Sequence, residues 1–294
     1  MEITGNIPMP TPEQERFVPE SILAIKLEDA DIFLRTSKGE YQRILFSGLP
    51  LTDEEKTHWL AFLKYCKDNS LDVPTQYLTY ECKILRYLQA TKWVYPKAHD
   101  GVIAHATWTA ETKPYIIPNQ RVLDLLQMGF LYLHKRDKRG RCVVVMNVNV
   151  IKNFKPEDVP NMNLAVNFML TYGIEKCAVP GLCETWVMVI DLDGVGLSQM
   201  PLRTLKTMLG AAQTNFRGRA YKIYILNAGY LIRGSFGIIK KMLDEFTAQK
   251  INVCGGDYKK QLLTQINADC LEVRFGGSVP DKKTNFFPPD MTMA

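Results

Sequence analysis

The sequence contains no CxxC pair, no HExxH, no GxSxG and no glycine-rich phosphate loop. These absences exclude, in turn, the usual zinc and dithiol frames, the metalloprotease helix, the hydrolase nucleophile elbow and the P-loop style of nucleotide chemistry. No run approaches the ~20 apolar residues of a membrane-spanning helix, and there are no internal repeats or low-complexity tracts. The start, MEITGNIPMP, lacks the basic-then-apolar pattern of a secretory leader. With Glu2 in second place and the first glycine at Gly5, a myristoylation motif is missing too. Histidine is scarce, and His58, His99, His105 and His134 stand at no metal-ligand spacing. Each reads as a surface or hydrogen-bonded residue, so no catalytic residue, metal site or cofactor is assigned.

What is present is ordinary globular material. The 294 residues are 46% hydrophobic and 23% charged, enough for a large core and for one or two domains. The net charge of +5 is not that of a dedicated nucleic-acid binder, and no nucleic-acid partner is expected. It suits a transient visit to an anionic membrane surface, where each nearby Lys or Arg contributes about 1 kcal/mol. The seven cysteines are odd in number, and Cys142 and Cys254 sit in apolar runs. They read as reduced thiols of a cytoplasmic protein that touches membranes only peripherally.

Along the chain, residues 1–50 carry a proline-rich lead-in and then SILAIKLEDADIFLRTSKGEYQRILFSG, which predicts three short strands in a β-meander. Residues 51–127 predict a helical lobe. Thr52 and Glu55 form a capping box ahead of Trp59, Leu60, Phe62 and Leu63. A second helix is expected over YLTYECKILRYLQATK and a third from Pro96 to Thr109. From 128 to 280 strands and helices alternate. CVVVMNV, WVMVID, YKIYILN and INVC are the strands, with helices at 157–176, 202–213, 235–248 and over DYKKQLLTQI. That order predicts an α/β lobe with a mostly parallel sheet, followed by a tail over 281–294.

Four stretches invite chemistry. DLDGVG, with Asp191 and Asp193 closing a strand, reads as a strand-to-loop turn, since no further carboxylates gather there to hold a cation. KRDKRGR (135–141) reads as a charged β-turn and also as a basic surface patch for phospholipid head groups. GYLIRGSFGIIKKMLDEF carries Leu231, Ile232, Phe236, Ile239, Met242, Leu243 and Phe246 on one face, and the glycines at its start suit a hinge. FRGRAYKIYILNAG sets Arg217 and Arg219 in front of a buried strand.

ILRYLQATKW, HKRDKRGRCVV, ETWVMVIDLDG, YKIYILNA and KINVCGGDYKKQLLTQINADCLEVRFGG occur in that order between residues 78 and 280. Together they resemble the CRAL-TRIO family of lipid-binding proteins, in particular its phosphatidylinositol-transfer branch. The resemblance implies a sheet that floors an apolar pocket, with Trp186, Met188, Ile190, Tyr224 and Leu226 lining it. It also implies a mobile gate helix over 231–248 and no chemical step. The implied ligand is a phospholipid or another hydrophobic molecule, whose head group would meet Lys250, Arg219, Lys92 and Arg86, with Arg217 solvated. The inositol-lipid set is incomplete, because Thr91 stands at its first basic position and Gly218 where a glutamate is expected. The choline-lipid set is also incomplete, with Trp186 and Met188 in place of hydroxyls. Three readings stay open beside a carrier of a divergent ligand: inositol-lipid transfer with altered contacts, a protein-interaction module whose pocket is filled by its own side chains, and an enzyme using Asp191 and Asp193.

Overall fold

Two runs of β-branched residues, Cys142–Asn147 and Trp186–Asp191, are buried along nearly their whole length and form the middle of a five-stranded sheet. The computed structural model describes residues 18–79, 83–152, 154–196, 214–230, 233 and 245–289. Its elements in chain order are α1 (Glu20–Leu23), α2 (Asp29–Ile32), β1 (Phe33–Arg35), β2 (Tyr41–Arg43), α3 (Asp53–Asp68), α4 (Lys83–Ala90), α5 (Tyr95–Thr112) and α6 (Gln120–Gln127). They continue with β3 (Leu131–Arg136), β4 (Cys142–Asn147), α7 (Val148–Ile151), α8 (Val159–Tyr172), β5 (Trp186–Asp191), β6 (Ala220–Leu226), α9 (Glu245–Lys250), β7 (Ile251–Val253) and α10 (Tyr258–Gln265).

The sheet order is β3-β4-β5-β6-β7, with β3 antiparallel to β4 and every other pair parallel. The antiparallel pair is closed by the KRDKRGR turn, where Gly140 adopts φ +78° and its amide reaches the Asp137 carbonyl. Parallel neighbours need crossovers that cover the sheet, and α8 supplies the one between β4 and β5. One face, with Leu131, Leu133, Val144, Met146, Trp186 and Met188, packs on α6 and α8 through Leu125, Leu126, Met162 and Met169. The opposite face, with Tyr132, Val143, Val187, Val189, Tyr224 and Leu226, is closed by Leu262 of α10 and by Ile266, Leu271 and Phe275. A separate core joins α3, α4 and α5 through Trp59, Phe62, Leu85, Leu88 and Val102, with Phe46 pressed against it.

The N-terminal segment departs from its predicted three strands. Two helical turns, α1 and α2, precede a two-stranded hairpin in which Phe33 pairs with Arg43 and Arg35 with Tyr41. Asp31 forces the helical turn, because its carboxylate accepts the Glu28 amide at 3.0 Å in a capping box. A lone hairpin of this size is marginal, and the support is Arg43. Its guanidinium lies within 2.7 Å of Glu55, both groups almost wholly buried, and it also donates to the Pro50 and Leu45 carbonyls. Gln89 of α4 clamps the Arg43 backbone from both sides at 2.8 and 3.0 Å. Glu55 thereby serves two tasks, since it also accepts the Thr52 amide in the cap of α3.

The second helix is shorter than the sequence suggests. Thr75–Tyr77 is a single 3₁₀ turn, α4 covers Lys83–Ala90, and Lys92 and Trp93 turn left-handed at φ 51° and 63°. The expected helix at 202–213 lies outside the described residues. So do Leu231, Ile232, Phe236, Ile239, Met242 and Leu243 of the expected gate; of that segment the final turn, with Phe246, is described.

Candidate ligand-binding site

Trp186, Met188, Ala220 and Ile223 on the sheet, with Phe246 of α9 and Ile251 of β7, line a cavity of about 710 Å³. The register explains the grouping: Trp186 pairs with Ala220 and Met188 with Ile223, across an irregularity between Trp186 and Val187. Trp186 and Met188 are both buried and contribute the apolar part of this lining from β5. Tyr224 and Leu226, assigned to the pocket from sequence, face the other side of the sheet and pack toward α10. Successive residues of a strand point to opposite faces, and Tyr224 pairs with Val189 instead of Met188. Ile190 shares the face of Met188 but belongs to the packed core beside α8.

The rest of this cavity's lining is polar. Lys92, Arg217 and Lys250 supply positive charge, and the N-terminal hairpin contributes Glu40, Tyr41 and Gln42. The Lys250 ammonium donates to the Gln42 side-chain carbonyl at 2.8 Å. Tyr41 donates its hydroxyl proton to Glu54 at 2.9 Å and meets the Thr52 hydroxyl at 2.8 Å. The hairpin is thus a wall of the cavity, a role that nothing in its sequence announces.

Arg86 and Arg219, the other two residues expected at a head group, line a second cavity of about 490 Å³. They are organised by Glu184, a fully enclosed carboxylate that no local sequence signal marks. Glu184 forms an ion pair with Arg86 and accepts the amides of Ser47 at 2.7 Å, Gly181 at 3.0 Å and Phe46 at 3.4 Å. Burial alone would raise its pKa, but Arg86, Arg219 and the Gly181 amide outweigh that and hold it below the usual carboxylate range. Arg219 donates to the Glu184 carbonyl at 3.0 Å, while Arg86 lies 4.0 Å over the Phe46 ring and donates to the Gly218 carbonyl at 3.2 Å.

Gly218 explains itself here. Its φ is +68°, and a Cβ would stand 3.2 Å from the Arg86 guanidinium. A glutamate at this place would be strained and pushed against the ion pair, so the glycine is a requirement of the turn.

Phe216 and Arg217 line both cavities. Arg217 is therefore not the solvated residue expected: it is half-buried, with its guanidinium 5.5 Å from the centre of the Tyr87 ring. His105 closes the smaller cavity beside Tyr77, whose hydroxyl lies 2.5 Å from its Nδ1. Burial, with Lys83, Arg219 and Arg217 adding to it, pushes the His105 pKa down to about 4, so the ring is neutral at pH 7.

The remaining motifs are structural. Asp191 accepts from Asn227 at 2.8 Å and from the Asp193 amide at 3.0 Å, which ties the end of β5 to the end of β6. The basic turn is not a free patch: Arg139 and Arg141 pair with Asp31, Asp137 accepts from Arg141, and Lys138 donates to the Leu263 and Thr264 carbonyls. Six cysteines of the described region are buried thiols. Among the described residues no group of three His, Cys, Asp or Glu could hold a metal ion, and no helix is long and apolar enough to cross a membrane.

Comparison with known proteins agrees with this architecture. The chain is 31% identical over 219 residues to the SEC14 cytosolic factor of Yarrowia lipolytica, an alignment that covers 69% of this chain and 44% of that protein. The chain therefore spans less than half the length of that relative. It is 28% identical over 157 residues to the phosphatidylinositol/phosphatidylcholine transfer protein SFH12 of Arabidopsis thaliana, covering 49% of this chain and 29% of that one. The crystal structure of Sfh5 superposes with a TM-score of 0.56 at 16% identity, covering 81% of this chain and 96% of that one, a likeness of fold. The CRAL/TRIO domain model matches residues 126–277, which are more than half of the chain and carry the whole five-stranded sheet. On that match, this chain belongs to the CRAL/TRIO domain family.

Proposed function

We propose that the protein binds a phospholipid or similar amphipathic molecule in the 710 Å³ cavity and exchanges it at membranes. The observation that carries this reading is the composition of the cavity wall. Trp186, Met188, Ile223, Phe246 and Ile251 offer an apolar interior, and Lys92, Arg217 and Lys250 offer positive charge to a head group. Its size falls among ordinary ligand pockets. The helical lobe, 51–127, and the α/β lobe, 128–280, then close on the ligand from two sides, since Gln89 and Lys92 come from one and the sheet from the other.

The physical case is the cost of exposing lipid tails. Each buried methylene is worth about 0.8 kcal/mol, so two acyl chains resist transfer through water by on the order of 20 kcal/mol. A carrier that encloses them and opens only at a membrane removes that barrier without any bond being made or broken. The name of the Arabidopsis relative, a transfer protein for phosphatidylinositol and phosphatidylcholine, supports the same reading.

Lipid extraction from the natively purified protein, followed by mass spectrometry, tests this. A stoichiometric lipid is expected. An empty protein that also takes up no lipid from vesicles would overturn it.

A further inference from the structure

The smaller cavity carries an assignment of its own. Five basic side chains line it, Lys83, Arg86, Lys176, Arg217 and Arg219, against two carboxylates, Glu175 and Glu184. Glu184 is already committed to Arg86 and three backbone amides. Among the described residues Arg217 has no hydrogen bond or ion pair, and its Nε is buried without a partner. A guanidinium in that condition costs free energy unless an anion answers it. Lys176, from the π-helical turn after α8, is likewise half-buried and lines the same cavity next to Glu175. The groups come from three separate parts of the chain: α4, the turn Gly173–Cys177 and the loop before β6.

We infer that this cavity is a binding site for a compact, multiply charged phosphate anion, separate from the apolar cavity and joined to it through Phe216 and Arg217. Several charged donors converging from different elements suit the many oxygens of a phosphate, which a single carboxylate would leave largely unused. The walls formed by Tyr77, Tyr87 and Trp108 limit the site to a small ligand or to the head group of a larger one. The neutrality of His105 at pH 7 fits a pocket whose field is already positive. The inference does not rest on lipid carriage, because a chain that purifies without lipid still has this cavity.

Titration of the full chain with inorganic pyrophosphate, followed by calorimetry in physiological salt, is the test. Saturable one-to-one binding is expected, weakened about tenfold or more by Arg217→Gln and by Lys176→Gln, as loss of a charge-assisted contact requires. Lys64→Gln, on the exposed face of α3 and outside both cavities, is expected to bind as the parent does. Thermal unfolding of each variant reports whether it is folded, and Lys176→Gln decides the matter if Arg217→Gln is not. Phosphatidylcholine vesicles containing phosphatidic acid separate the sources of the anion: competition with pyrophosphate assigns the site to a lipid head group, and binding without competition assigns it to a soluble phosphate. Absence of saturable binding, or equal affinity in the parent and both cavity variants, would overturn the inference. Equal weakening by Lys64→Gln would reduce it to general charge attraction and overturn it too.

Discussion

Glu184→Gln removes one charge and almost no volume, and it isolates what the buried carboxylate does. In the parent, Glu184 neutralises Arg86 and gathers the amides of Phe46, Ser47 and Gly181. Glutamine keeps one carbonyl oxygen for the Ser47 and Gly181 amides but turns an NH₂ toward the guanidinium. Arg86, itself 6% exposed, is then left as an uncompensated charge. Breaking a buried pair from one side costs about 3–5 kcal/mol. In a protein of this length that lowers Tm by about 6–20 °C. Urea unfolding should show a lower midpoint at an unchanged slope, because the surface exposed on unfolding is the same. The pH dependence supplies an internal control. The pKa of Glu184 is depressed in the folded state, so its contribution is complete above the usual carboxylate range and disappears as pH falls through the folded value. The gap between parent and variant should be flat from neutrality down to about pH 5 and shrink below about pH 4. Adding Arg86→Met to the variant should return part of the loss, since it deletes the stranded charge. A loss under about 1 kcal/mol, the value of an exposed pair, or a gap unchanged in acid, would refute the reasoning.

Three further outcomes are expected. Gly218→Ala places a side chain at φ +68° and should cost about 1–2 kcal/mol in thermal or denaturant unfolding, while Gly218→Glu should be no better tolerated and should not raise inositol-lipid transfer. Lys250→Ala should slow transfer of an anionic phospholipid between vesicles about tenfold, and an unchanged rate would remove this lysine from the head-group contact. Asp31→Asn should lose about 1.5–3 kcal/mol of anchoring to Arg139 and Arg141 and expose the segment before α3 to limited proteolysis. Burial opposes ionisation of Asp31, but Arg139, the Glu28 amide and Arg141 keep its pKa low, so the parent should acquire the same sensitivity only at acid pH.

The strands CVVVMN and WVMVID are legible because a parallel strand buried on both faces must be apolar throughout. The same property hides the facing. In YKIYIL both parities are apolar apart from Lys222 at the mouth of the strand, so the sequence does not say whether Ile223 or Tyr224 looks into the pocket; the pairing with Met188 and Val189 decides it. The basic turn reads as surface because charge runs usually are, yet its partner Asp31 lies 108 residues from Arg139. Glu184 escapes notice for the same reason, with Arg86 98 residues away. The capping box at Thr52, whose partners are three residues apart, is visible at once. Local signals survive in sequence, while contacts made by the fold do not.

The docking of the N-terminal segment has a consequence for how the chain is made. Phe46 and Ser47 offer their amides to a carboxylate 138 and 137 residues downstream, and Gln42 waits for Lys250, 208 residues later. At about 5–20 residues per second, a ribosome needs roughly 7–27 s to reach Glu184 after Ser47 has been added. During that interval Arg43 and Glu55 can already hold the hairpin against α3, but its second anchorage does not yet exist. The hairpin's contact with the far side of the cavity is therefore available only once Lys250, just ahead of β7, has been synthesised.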